Sequence, residues 1–174
     1  MAKGQAEQLL PIAAELMENA GKTWADLDAV AVATGPGNFT GIRISVAAAR
    51  GLALALRIPA VGVSVLEAIA FGATGPVISL ASGRGETLFF GKFGTQGTHL
   101  APPGMVENGD LTGLLEPGFQ LRGGHGEAAI VPPPETYARI AAERNWAKEP
   151  RPAPLYLRPA DAALPREMPP TILP

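Results

Sequence analysis

Apolar residues are spaced in two rhythms along the chain. Through Gln5–Ala20, the residues Leu9, Ile12, Ala13, Leu16, Met17 and Ala20 recur at helical spacing, with Glu7, Glu15 and Glu18 turned toward water. Gly21 ends this helix, and Thr23 with Asp26 has the spacing of a capping box for a short turn. From Ala29 the rhythm changes. Short apolar runs at Ala29–Thr34 and Ala60–Ser64 do not alternate cleanly, as expected of strands covered on both faces of a parallel sheet. Between them lie a tight loop, Gly35–Gly41, and a helix over Ile42–Leu56, so the stretch predicts a βαβ unit.

Beyond Val65, the pattern predicts a short helix over Leu66–Phe71 and a break at Gly72–Pro76 that serves as a domain junction. Val77–Leu80 and Thr87–Phe93 read as an antiparallel hairpin with a long loop. Weaker signals follow. They are a strand edge at Met105–Val106, a short helix capped by Asp110 through Leu115, a strand at Gln120–Arg122 and a helix over Glu135–Trp146 with Tyr137, Ile140 and Ala141 inward. Glu149–Pro154 is proline-rich and extended, and Thr171–Pro174 reads as a loose end.

Composition narrows the function classes. A chain of 174 residues, 47% hydrophobic and 17% charged, is long enough for one ordinary domain or two small ones. Cysteine is absent, which removes disulfides and thiolate chemistry. No uninterrupted apolar run reaches the ~18 residues that a bilayer crossing needs, and the start has no signal-peptide character. The expectation is a cytoplasmic protein with no membrane contact. A formal charge of −2 argues against a free-standing nucleic-acid binder, which would carry a basic balance or patch, so any RNA contact is expected through a partner.

The candidate chemistry centres on Gly35–Gly41. Gly35, Gly37, Asn38, Thr40 and Gly41 form a turn that opens a helix, with either Asn38 or Thr40 available as its cap. Free amides at such a turn suit an anion. The loop matches neither of the common phosphate patterns, however, so a turn shaped only for close packing of the helix stands beside the anion site. In the helix, Ala47, Ala48, Ala49, Gly51, Ala53 and Ala55 leave little bulk, and Gly51 suggests a close contact. Arg43 and Arg50, seven residues apart, fall near one face as a solvated edge or a partner contact. His125 lies among glycines, but His99 is the other histidine and no H-E-x-x-H is present, so no metal site is assigned. No catalytic residue and no cofactor is assigned either, and nucleotide binding has no supporting motif.

The stretch GPGNFTGIRISVAAARGLALALRIPAVGVSVLEAIA resembles the signature of the bacterial TsaB (YeaZ) family, which acts in making threonylcarbamoyl-adenosine in tRNA. The GPG-x-FTG-x-R loop, the RGLALAL helix end, the IP-x-VGVS strand and the LEA helix start carry the resemblance. GQAEQLLP at Gly4–Pro11 and PLYLRPADA at Pro154–Ala162 extend it. It implies an α/β, actin-like ATPase (ribonuclease-H-like) fold of two α/β subdomains. Residues 1–72, joined by a closing segment 154–174, would make the first, and residues 73–153 the second.

The resemblance further implies a non-catalytic subunit that dimerises with the catalytic TsaD, supporting threonylcarbamoyl transfer to tRNA, with the ATPase TsaE as a further partner. A homodimer is expected where TsaD is absent. Leu9, Ile12, Leu16, Ile42, Arg43, Val46 and Arg50 are the expected interface residues. An actin-like-fold peptidase or kinase, or an inactive truncated fragment, is the alternative. Two departures stand out. Relatives begin with a strand hairpin carrying an IDTS-type stretch, so the first subdomain is expected to be incomplete, with an exposed sheet edge beside Ala29–Thr34. They also usually carry a D-A-R-x-G-E loop, where this chain has Ala81 and Gly83 in place of the aspartate and arginine and keeps Gly85 and Glu86.

Overall fold

A computed structural model describes residues 5–124 and 132–157. The expectations for His125 and for the segment beyond Leu157 lie outside them. Helix α1 spans Gln5–Asn19 and is followed by strand β1 (Val30–Ala33), helix α2 (Phe39–Leu56), strand β2 (Ala60–Val63) and helix α3 (Val65–Ala70). Strands β3 (Val77–Ser82), β4 (Thr87–Phe93), β5 (Gly104–Glu107) and β6 (Gln120–Gly123) come next, and helix α4 (Pro134–Ala142) completes the set.

The βαβ unit forms as its apolar runs dictate. β1 and β2 pair in parallel, Val30 opposite Ala60 and Ala33 opposite Val63. α2 covers one face through Ile42, Val46 and Ala49 on Val32, and α4 covers the other through Ala141, Tyr137 and Ile140 on Val61 and Val63. Burial on both faces is why neither strand alternates. Among the described residues, β1 has β2 as its strand neighbour and its other edge is unpaired. α2 starts three residues before the predicted Ile42, because Asn38 is its cap and Thr40 already lies within it.

The second sheet has the order β5-β4-β3-β6, with β3 antiparallel to β4 and parallel to β6. α3 buries Leu66 and Ile69 against Val77, Phe89 and Phe93 on one face. Ile78, Leu80 and Leu88 pack on the other, under Leu111, Leu114 and Phe119. The predicted helix through Leu115 is a 3-10 segment, Asn108–Leu114.

α4 falls within residues 73–153 yet packs on the first sheet, because its inward face meets Val61 and Val63. α3 falls before residue 73 yet supplies the core of the second sheet. The sequence order of the two halves therefore does not match their packing.

Candidate functional site

α1 and α2 lie side by side and present an outer face. On α1, Leu9, Ala13 and Met17 turn inward and are half-buried, whereas Ile12 is exposed and Leu16 is 64% exposed. On α2, two expected interface residues belong elsewhere. Ile42 and Val46 are buried in the core on Val32, since one side of the helix must seal the strand layer. The outer side carries Phe39, Arg43, Ala47, Arg50, Gly51 and Leu54, the last 79% exposed. Gly51 has no neighbour within 4 Å of where a Cβ would stand, so the close contact expected there is not made among the described residues. α2 is long and apolar enough to cross a bilayer by length and composition. Its inner face is committed to β1, and Arg43 and Arg50 stand on its outer one.

Arg43 is held in place. Its Nε donates to Tyr156 Oη at 2.6 Å, and its guanidinium carbon stacks 3.8 Å above the Phe39 ring. Phe39 and Tyr156 rings lie 4.9 Å apart. Residues 155 and 156 thus lie against the first layer, where Leu155 N donates to Thr34 O at 2.8 Å.

The Gly35–Gly41 loop is split by burial. Gly35 and Pro36 are buried and the residues from Gly37 to Thr40 are exposed. Gly35 has φ +96°, a conformation that favours glycine, and a Cβ there would stand 2.6 Å from Ile42 Cδ1, so that side-chain end would have to shift. Asn38 Oδ1 accepts from Gly41 N at 2.8 Å and is the cap; Thr40 is not. The loop brings the candidate anion residues together at the start of α2, beside Arg43.

A second cluster was not foreseen from the sequence. Ser64 caps α3 and Glu67 caps it back, with Ser64 N donating to Glu67 Oε2 at 2.7 Å. Glu67 Oε1 also accepts from Arg144 Nη2 and lies 3.5 Å from His99 Nε2. Arg144 Nη1 donates to Gly62 O at 2.6 Å and to Glu149 Oε2 at 3.3 Å. Burial opposes ionisation of Glu67, but the Ser64 amide, Arg144, the Ser64 hydroxyl and His99 together outweigh it, and its pKa falls below the ordinary 4.5. These groups border a cavity of about 440 Å³, also lined by Thr34, Phe93, Arg151 and the proline-rich stretch at 150–154. The Ser64-x-x-Glu67 capping pattern was legible in the sequence. Arg144, 77 residues from Glu67, had no local signal. Among the described residues, no three His, Asp or Glu side chains lie together as a metal site.

The family model described as TsaD: tRNA N6-adenosine threonylcarbamoyltransferase matches residues 1–140. An uncharacterized protein of Mycobacterium tuberculosis (strain ATCC 25618 / H37Rv) is 33% identical over 168 residues, spanning 92% of this chain and 78% of that protein. The tRNA threonylcarbamoyladenosine biosynthesis protein TsaB of Escherichia coli (strain K12) is 40% identical over 67 residues, 38% of this chain and 29% of that protein. The solved structure of YeaZ from Pseudomonas aeruginosa superposes with a TM-score of 0.68 at 24% identity, covering 87% of this chain and 84% of that one. That last likeness is one of fold.

Proposed function

The chain belongs to the tRNA N6-adenosine threonylcarbamoyltransferase family as a TsaB-like member, and from that premise we propose that it is a non-catalytic subunit of the machinery forming threonylcarbamoyl-adenosine in tRNA. Its fold is the α/β, actin-like fold that the resemblance implied. In this proposal, the α1–α2 face docks the catalytic TsaD subunit, a TsaE-type ATPase joins the assembly, and tRNA is reached through the complex. Where TsaD is absent, the same face pairs with a second copy.

The observation that carries the proposal is the exposed apolar outer face. Ile12, Leu16, Ala47 and Leu54 stand in solvent on two adjacent helices, while Ile42, Val46, Ala49 and Ala53 on the other side of α2 are buried. An apolar patch of that kind marks a protein contact more often than a catalytic surface. The test is co-purification of the chain with a TsaD subunit and reconstituted modification of tRNA. Leu16→Asp and Leu54→Asp are expected to abolish both while leaving the circular dichroism spectrum unchanged. Unaltered co-purification of both variants overturns the proposal.

The cavity beside Glu67 favours a second reading, a small-molecule site of an actin-like enzyme. Calorimetry with ATP separates the two, since heat of binding that is lost on Arg144→Ala supports the enzyme.

A further inference from the structure

The cavity of about 440 Å³ lies where two adjacent strands end. Thr34 and Ser64 are the first residues after β1 and β2. Because Ala33 stands opposite Val63, they are the next pair in register, side by side at the carboxyl ends of parallel strands. In open α/β sheets such ends border the crevice where ligands bind. Both residues are buried and both line the cavity. Ser64 Oγ accepts from Glu67 N at 3.0 Å, which leaves its own hydrogen without an acceptor among the described residues. The Thr34 hydroxyl has no partner among them. No sealed side-chain oxygen in the described residues lacks a partner, so that hydroxyl is open to solvent, which the cavity provides. Two neighbouring hydroxyls are thus free to donate to one ligand group.

The charges around the cavity balance. Glu67 and Glu149 both accept from Arg144, and Arg151 is exposed with no hydrogen bond or ion pair among the described residues. Arg144 takes up Oε2 of Glu149 at 3.3 Å, and Oε1 of that carboxylate accepts nothing among the described residues. Two carboxylates therefore face two guanidiniums, with spare donors at Thr34, Ser64 and Arg151 and a spare charged acceptor at Glu149. A ligand of net charge upsets this balance, whereas one carrying both charges preserves it. We propose that the cavity binds a free α-amino acid with an apolar side chain. Its carboxylate accepts from the Thr34 and Ser64 hydroxyls and from Arg151, its ammonium donates to Glu149 Oε1, and its side chain lies against Leu66, Pro103 and Leu155. The volume is in the range of small-molecule sites. The proposal is independent of the α1–α2 docking face. It rests on the small-molecule reading of the cavity, gives that molecule a chemical class and requires no reaction.

The test is calorimetry on the full chain with L-leucine and L-phenylalanine. Each is compared with the analogue that lacks its ammonium, 4-methylpentanoate or 3-phenylpropanoate, and with the one that lacks its carboxylate, 3-methylbutylamine or 2-phenylethylamine. At least one amino acid is expected to bind, and both of its analogues to bind about tenfold or more weakly, the loss of one charge-assisted contact. Arg151→Ala and Thr34→Val are each expected to weaken the amino acid by about tenfold. Arg151 is exposed and Thr34→Val keeps the branched shape beside Gly62, so both variants are expected to unfold at the urea concentration of the wild type.

A carboxylate analogue that binds as well as its amino acid shows that the ammonium is not read, and overturns the proposal in favour of an anion site. Binding left unchanged by both variants places the ligand elsewhere and overturns it too. Heat from ATP, with none from either amino acid up to about 10 mM, overturns it in favour of the enzyme. Heat from none of these probes removes the proposal and the small-molecule reading together. Co-purification with TsaD tests the docking face separately and is expected to be the same in Arg151→Ala as in the wild type.

Discussion

Glu67 joins more of the molecule than any neighbour in sequence suggests. One carboxylate closes the α3 cap on Ser64, receives Arg144 from beyond α4 and faces His99 from the loop after β4. Removing it leaves the Ser64 amide and the Arg144 guanidinium short of a partner in a half-buried setting, so Glu67→Ala is expected to lower the unfolding free energy by about 1–3 kcal/mol in urea at pH 7. The sign of the pH dependence follows from the depressed pKa. A carboxylate ionised more readily when folded than when unfolded contributes stability above its ordinary 4.5 and loses it as the pH falls through the lower folded value. The gap between wild type and Glu67→Gln is therefore expected to be full at pH 7 and to close as the pH falls below the ordinary 4.5 through the lower folded value. A gap that stays constant over that range would show that the charge of Glu67 contributes nothing. Neither Arg144 nor His99 is near Glu67 in the chain, which is why only the Ser64–Glu67 half of the cluster was legible beforehand.

At the scale of the element, α2 shows what periodicity can and cannot tell. The existence of the helix, its cap at the glycine loop and the parallel strands around it all follow from local pattern. Which side faces inward does not. Ile42, Val46, Ala49 and Ala53 are apolar, but so are Phe39, Ala47, Leu54 and Ala55, and a helix apolar nearly all round has no preferred direction until the strands choose one. Val32 on β1 makes that choice, and Ile42 and Val46 go to the core. The same ambiguity hides the role of Gly51. In an exposed helix interior with nothing within 4 Å, glycine weakens the helix without any packing gain in a lone chain. Gly51→Ala is accordingly expected to raise the unfolding free energy of the dilute monomer by about 0.5–1 kcal/mol. The bulkier Gly51→Leu is expected to leave the monomer folded and to prevent self-association. Association that tolerates leucine at this position removes Gly51 from the contact.

Across the whole molecule, three consecutive residues tie the layers together. Leu155 donates its amide to Thr34 at the end of β1, Tyr156 binds Arg43 on α2, and Leu157 packs with the α3–β3 core. Arg144 makes the parallel connection, holding the carbonyl of Gly62 in β2 and the carboxylate of Glu67 on α3 at once. Gly62 has no room for a side chain there, since a Cβ would stand 2.8 Å from Thr34 Cγ2 and 3.0 Å from Pro152 Cβ. The two sheets share no strand, so their cooperation depends on α3, on these polar ties and on the crossing segment. Trp146 reports on the first of them, packed beside α4 with Nε1 donating to Ala141 O at 2.7 Å. In the wild type, unfolding in urea followed by tryptophan fluorescence and by circular dichroism is expected to coincide, as in a single cooperative unit. Arg144→Ala cuts the polar tie but leaves both apolar cores intact. Its fluorescence transition is then expected to move to lower urea than its circular dichroism transition, because the α4 layer can loosen while the β5-β4-β3-β6 sheet persists. If both probes shift together with an unchanged slope, the shared helix α3 and the segment through Leu157 suffice to couple the sheets, and Arg144 contributes stability without contributing cooperativity.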